Sequence, residues 1–141
     1  MTDVQARIRR ALTQNAATTA RDADDPRLRG RTYTIPFERV WQAALRLANG
    51  GMRGFRLISA DEIAGEIVAE ARAVLVNRFA DVTIRISLDP DAQTRVDMHS
   101  VSRAGRADLG ANGRRIRAFT HRLDRELIGA GAARRGDAVA P

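Results

Sequence analysis

The chain has 141 residues, 44% of them apolar, no cysteine and a formal net charge of +7, which fits one globular domain with one modest core. Without cysteine it has neither a disulfide framework nor a thiolate metal site. No apolar run approaches the roughly 20 residues that cross a bilayer and the N-terminus lacks a secretory pattern, so a soluble, cytoplasmic protein is expected.

The first thirty residues carry little to bury. Val4, Ile8 and Leu12 fall at helical spacing, enough for a short helix only, and Gln14 to Arg29 is polar, with Asp22, Asp24, Asp25 and Pro26 in its second half. A flexible arm is predicted over 1–30. Tyr33 and Ile35 then alternate in a short strand before Pro36, a good first helical residue. Phe37, Val40, Trp41, Ala44, Leu45 and Ala48 recur at helical spacing, and Gly50-Gly51 stops that helix. Three strands are predicted next: Phe55 to Ala60, Glu66 to Leu75 and Val82 to Leu88, separated by Gly65 and by the stretch from Asn77 to Asp81. Asp89-Pro90-Asp91 turns the chain into a fourth, Thr94 to Ser102.

That last hairpin permits a register argument. Pairing Leu88 with Thr94 places Val96 opposite Ile86, Met98 opposite Ile84 and Asp97 opposite Arg85, so apolar pairs share one face and charged ones the other. A cross-strand Arg85/Asp97 ion pair on the face away from the helices is therefore expected. Beyond it, Leu109, Asn112, Ile116, Phe119, Leu123 and Leu127 form the apolar stripe of a second helix, with one polar member, Asn112, that needs partners. Residues 129–141 are Ala/Gly-rich without periodicity and read as a disordered tail. The predicted fold for 31–128 is α+β: an antiparallel four- to five-stranded sheet with two helices on one face, ordered β-α-β-β-β-β-α, in a helix-grip-like arrangement.

The strand-to-helix junction, Ser100 to Phe119, supports two readings. In the structural one, Gly105 and Gly110 permit a tight turn, Asp108 caps the helix, Asn112 bonds the loop backbone, and Ser100 and Ser102 satisfy strand ends. In the other, Arg103, Arg106, Arg114 and Arg115 hold an anion at the helix N-terminus. The structural reading comes first, because the Asp108 carboxylate would repel a second anion. All 24 basic residues are arginine, with Ala and Gly also abundant, as coding bias in a GC-rich genome produces; nucleic acid is disfavoured as partner for that reason. His99 and Ser100 are strand neighbours and diverge, so no triad forms, and two separated histidines make no metal site.

The string Arg95-Val-Asp97, Ser100-x-Ser102-Arg103-x-Gly105-Arg106-x-Asp108-Leu109-Gly110-x-Asn112-x-x-Arg115-Ile116 resembles the bacterial family called domain of unknown function 1499. Tyr33, Trp41, Glu66-Ile67-Val68-Ala69, Phe79, Asp81 and Val82-x-Ile84-Arg85 match it too, so the resemblance covers roughly Arg31 to Leu127. Members commonly show Phe-x-Asp-Asp where this chain has Phe79-Ala80-Asp81-Val82, so no role for paired acids carries over. The resemblance implies no established activity; some members carry membrane segments. The expected function is a non-catalytic binding or envelope-associated module without cofactor or metal, its partner a protein or an anionic ligand. The alternatives are an anion or nucleic-acid binder using the four junction arginines, and a carrier of small apolar ligands in a cavity lined by Trp41, Ile84, Met98 and Phe119.

Overall fold

The structure, a computed structural model, describes residues 16–21, 23, 25–73, 78–103 and 110–129. In chain order the elements are β1 (Ala16–Thr18), β2 (Arg31–Tyr33), α1 (Phe37–Arg46), β3 (Phe55–Asp61), β4 (Glu66–Arg72), β5 (Phe79–Leu88), β6 (Thr94–Ser102) and α2 (Ala111–Leu127). Val4, Ile8 and Leu12, the strand end at Leu75, Asn77 and the tail from residue 130 lie outside the described residues.

Alternation builds the sheet. Ile67, Ala69 and Ala71 of β4, Ala80, Val82, Ile84 and Ile86 of β5, and Val96 and Met98 of β6 are all buried, which turns one face of the sheet to the core. The strands form one antiparallel sheet ordered β1-β6-β5-β4-β3, with β2 also paired to β6. The β5/β6 register is the predicted one, with Leu88 opposite Thr94, Ile86 opposite Val96, Ile84 opposite Met98 and Arg85 opposite Asp97. At the β3–β4 turn Gly65 has φ 71°, and a Cβ there would collide with the Ile86 carbonyl oxygen, so only glycine lets β5 approach.

Both helices lie on the buried face. Val40, Trp41, Ala43 and Ala44 of α1 and Ile116, Phe119 and Leu123 of α2 join the sheet residues in a single apolar cluster. The Phe119 ring sits 5.5 Å from that of Phe55, and Trp41 stacks on Phe37 at 6.0 Å. No described helix covers the opposite face of the sheet.

The architecture is the expected α+β one, an antiparallel sheet with two helices on one face, and its sixth strand comes from residues 16–18: β1 pairs with Val101, Ser100 and His99 along the same edge of β6 that β2 covers farther on. Thr19 continues the contact, its hydroxyl accepting from the Met98 amide at 3.0 Å and donating to Asp97 at 2.9 Å. Farther along, Asp25 meets Arg117 of α2 at 3.5 Å. Backbone pairing needs no apolar side chains, so Ala-Ala-Thr shows no period to read. Helix α2 begins after Gly110, which has φ 85°. The left-handed conformation of Gly110 turns the chain into the helix. Gly105, Arg106, Asp108 and Leu109 lie outside the described residues.

Candidate functional site: the junction and the open sheet face

Beneath the first turn of α2, inward-facing Ser100 and Ser102 meet Asn112, which is fully buried. Asn112 Oδ1 accepts from Ser100 Oγ at 2.6 Å and from Arg115 Nη1 at 2.7 Å, and its Nδ2 donates to Ser102 Oγ at 2.9 Å. Arg115 Nη1 also donates to Ser100 Oγ at 3.1 Å. The polar member of the helical stripe thus bonds to hydroxyls of β6; the loop backbone expected as its partner lies outside the described residues from 104 to 109. These bonds fix how α2 leaves the sheet, since each buried group that lost its partner would keep its desolvation cost.

On the other face, Arg103 is held between two carboxylates. Its Nη2 and Nε reach Asp81 Oδ1 at 2.7 and 3.1 Å, its Nη1 reaches Glu70 Oε2 at 2.7 Å, and its guanidinium lies 5.6 Å above the Phe79 ring. Asp81 hydrogen-bonds strengthen its hold on its proton first, those of Glu70 second, so its pKa is pushed further up. Register explains the convergence. Glu70 of β4 faces Asp81 of β5, Arg72 faces Phe79, and the Arg103 amide bonds the Phe79 carbonyl at 3.0 Å.

Of the four arginines proposed as an anion site, the three among the described residues take different positions. Arg103 is bound to acids on the open face, Arg115 to the buried serine–asparagine group, Arg114 lies exposed in the first turn of α2, and Arg106 is outside the described residues. The Arg85/Asp97 ion pair is corrected. The two residues are opposite, but Arg85 bonds Glu66, its other cross-strand neighbour, at 3.1 Å, and Asp97 takes Arg95 at 2.9 Å. Arg95 and Asp97 are two apart on one strand and so share a face. Arg95 is itself anchored by the Arg29 carbonyl and Thr32.

His99 and Ser100 do face opposite ways: the ring is exposed and bonds the Thr18 hydroxyl, while Ser100 is buried against Asn112. Thr18, Thr83, Arg85, Asp97 and His99 border a small cleft of about 110 Å³ on the open face, and a second of about 250 Å³ lies between α1 and the end of α2, beside Gln42, Arg46 and Glu126. Met98 borders the first of these clefts and is also buried in the core with Trp41, Ile84 and Phe119.

Sequence reading missed one group. Asp124 of α2 is buried, its Oδ2 accepting from Arg31 Nε at 3.1 Å and its Oδ1 from the Tyr33 hydroxyl; Arg31 also donates to the Gly30 carbonyl at 3.0 Å. Burial raises the Asp124 carboxyl above its usual range despite the opposing pull of Tyr33 and Arg31, and burial with the Asp124 charge raises the Tyr33 phenol well above its own. The signal was present: Asp124 lies two turns beyond Ile116, inside the buried sector of α2, which is wider than one residue per turn.

The family described as Protein of unknown function (DUF1499) matches residues 8–123. The chain belongs to this family. No curated protein and no solved structure matches it significantly. The family match includes β1, which the motif comparison from Arg31 onward left out. Among the described residues no helix is long and apolar enough to cross a membrane.

Proposed function

We propose that this domain is a non-catalytic binding module and that it presents the Arg103 end of its open sheet face to a protein partner. The observation that supports this is the way Arg103 is ordered before any partner arrives, clamped by Asp81 and Glu70 over Phe79 while 45% of its side chain still faces solvent. Arginine and aromatic side chains dominate protein recognition, and an arginine already fixed loses little conformational freedom on binding. Around it the charges are matched: Glu70 also meets Arg56 at 3.4 Å, and Glu66 meets Arg85. Two carboxylates on Arg103 leave little attraction for a free anion, which favours a protein over a phosphate.

A photo-crosslinking residue at exposed Arg72, beside Phe79, tests the reading in cells, with the same probe at exposed Gln42 on α1 as control. A protein adduct specific to position 72, lost when Arg103→Ala is added, is the expected result. Adducts shared by both positions, or unchanged by Arg103→Ala, would overturn it.

A further inference from the structure

The two ends of the sheet differ in charge and in exposed apolar surface. Arg53, Arg56, Arg72, Arg78 and Arg103 gather at the end where β3 and β5 begin. At the other end β3 closes on Asp61, the β3–β4 turn carries Glu62, the β5–β6 turn carries Asp91, and Glu38 at the start of α1 hydrogen-bonds Glu62. None of these four acids has an ion pair among the described residues, in a chain whose net charge is +7. Holding Glu38 and Glu62 in contact is unfavourable unless a proton or a cation lies between them.

The exposed large apolar side chains of the described residues fall in the same quarter. Ile63 is fully exposed in the β3–β4 turn, Leu88 is 60% exposed at the end of β5, and Ile58 is 49% exposed on β3. Beside them runs an edge of the sheet, because among the described residues β3 comes last in the strand order and pairs only with β4. Its outer amides and carbonyls can accept another strand, and the irregularity between Leu57 and Ser59 leaves the segment from Ser59 to Asp61 regular.

We propose that this acidic end is a docking surface for an extended, arginine- or lysine-rich segment of a partner protein bearing large apolar side chains, added along the β3 edge between Ile58 and Ile63. The four carboxylates choose a cationic segment, the isoleucines and Leu88 supply the apolar contact, and the strand edge supplies backbone hydrogen bonds. An anionic bilayer is disfavoured by the same carboxylates. This surface is separate from the Arg103 face and does not depend on it.

The test uses nuclear magnetic resonance on the full chain with two short synthetic peptides, one alternating Arg with Ile and one alternating Glu with Ile. The Arg peptide is expected to give saturable shifts confined to residues 57–65 and 87–92, and the Glu peptide none. Ile63→Ser, at a site too exposed to matter for folding, and separately Glu62→Gln should each weaken the Arg peptide by about fivefold. Shifts spread over carboxylates across the whole surface, or affinity untouched by Ile63→Ser, would overturn the proposal. So would two rival results: Ile63-dependent binding to phosphatidylglycerol vesicles in place of peptide, or an Ile63-dependent dimer of this chain.

Discussion

Arg31 and Arg103 each meet carboxylate oxygens at about 3 Å, yet one is 8% exposed inside the core and the other 45% exposed on the open sheet face. Arg31 ties the short strand β2 to α2 through Asp124, together with Tyr33. All three have left water, so each depends largely on the others for compensation, Arg31 with one further bond to the Gly30 carbonyl. Arg103 is bonded as fully, but solvent competes for its bonds and screens its charges. The same pairing chemistry therefore holds the fold together in one place and leaves a rigid, replaceable group at the surface in the other.

The comparison breaks if the buried trio proves dispensable. Arg31→Met should cost about 3–5 kcal/mol, since it leaves a desolvated carboxylate without its cation. Asp124→Asn should cost less, because burial already holds the Asp124 carboxyl above its ordinary range and a neutral amide suits that site better than an unpaired charge. The sign of the pH effect follows from a raised native pKa: the native state binds the proton more tightly than the unfolded chain, so the stability this group contributes rises as pH falls through the native value. Chemical denaturation of wild type and Asp124→Asn at neutral and mildly acidic pH should show the difference moving in favour of wild type on acidification. A difference that does not move, or that moves the other way, would remove Asp124 from this account.

Next in size is the serine–asparagine group. Asn112→Ala removes the acceptor of Ser100 and Arg115 and the donor to Ser102, and should cost about 2–3 kcal/mol in thermal or denaturant unfolding. If it costs no more than a surface substitution, the network does not hold α2. Gly110→Ala should cost about 1–2 kcal/mol, because φ 85° is strained for any side chain even where space allows one. An unchanged melting temperature would mean that the turn relaxes freely.

How much of this was legible in the chain depends on whether the interaction repeats. The period-two pattern of Val82, Ile84 and Ile86 against Val96 and Met98 was enough to fix the β5/β6 register, because a slip by one residue would expose every one of them. The stripe of α1 and that of α2 were readable for the same reason, and Asn112 was conspicuous as a polar member of an apolar stripe. What did not repeat was missed. β1 is three small residues held by backbone bonds, and the Arg31–Tyr33–Asp124 trio joins residues about ninety positions apart with no spacing to connect them. The Arg85 partner was wrong for a related reason. The β5/β6 hairpin alone offers Arg85 only Asp97, whereas the neighbouring β4/β5 pairing, whose register no short turn reveals, brings Glu66 to its other side.

The smallest expected effects lie on the open face, and they sharpen the contrast most. Arg103→Ala should leave stability close to that of the wild type, although it deletes several close contacts, because exposed ion pairs contribute little once solvent and side-chain freedom are counted. A double-mutant cycle on Arg85 and Asp97 should give a coupling near zero despite their facing positions, while the Arg85/Glu66 cycle gives a few tenths of a kcal/mol. If Arg103→Ala instead destabilised the domain as much as Arg31→Met, the exposed cluster would be part of the scaffold. Its rigidity would then need no binding partner to explain it.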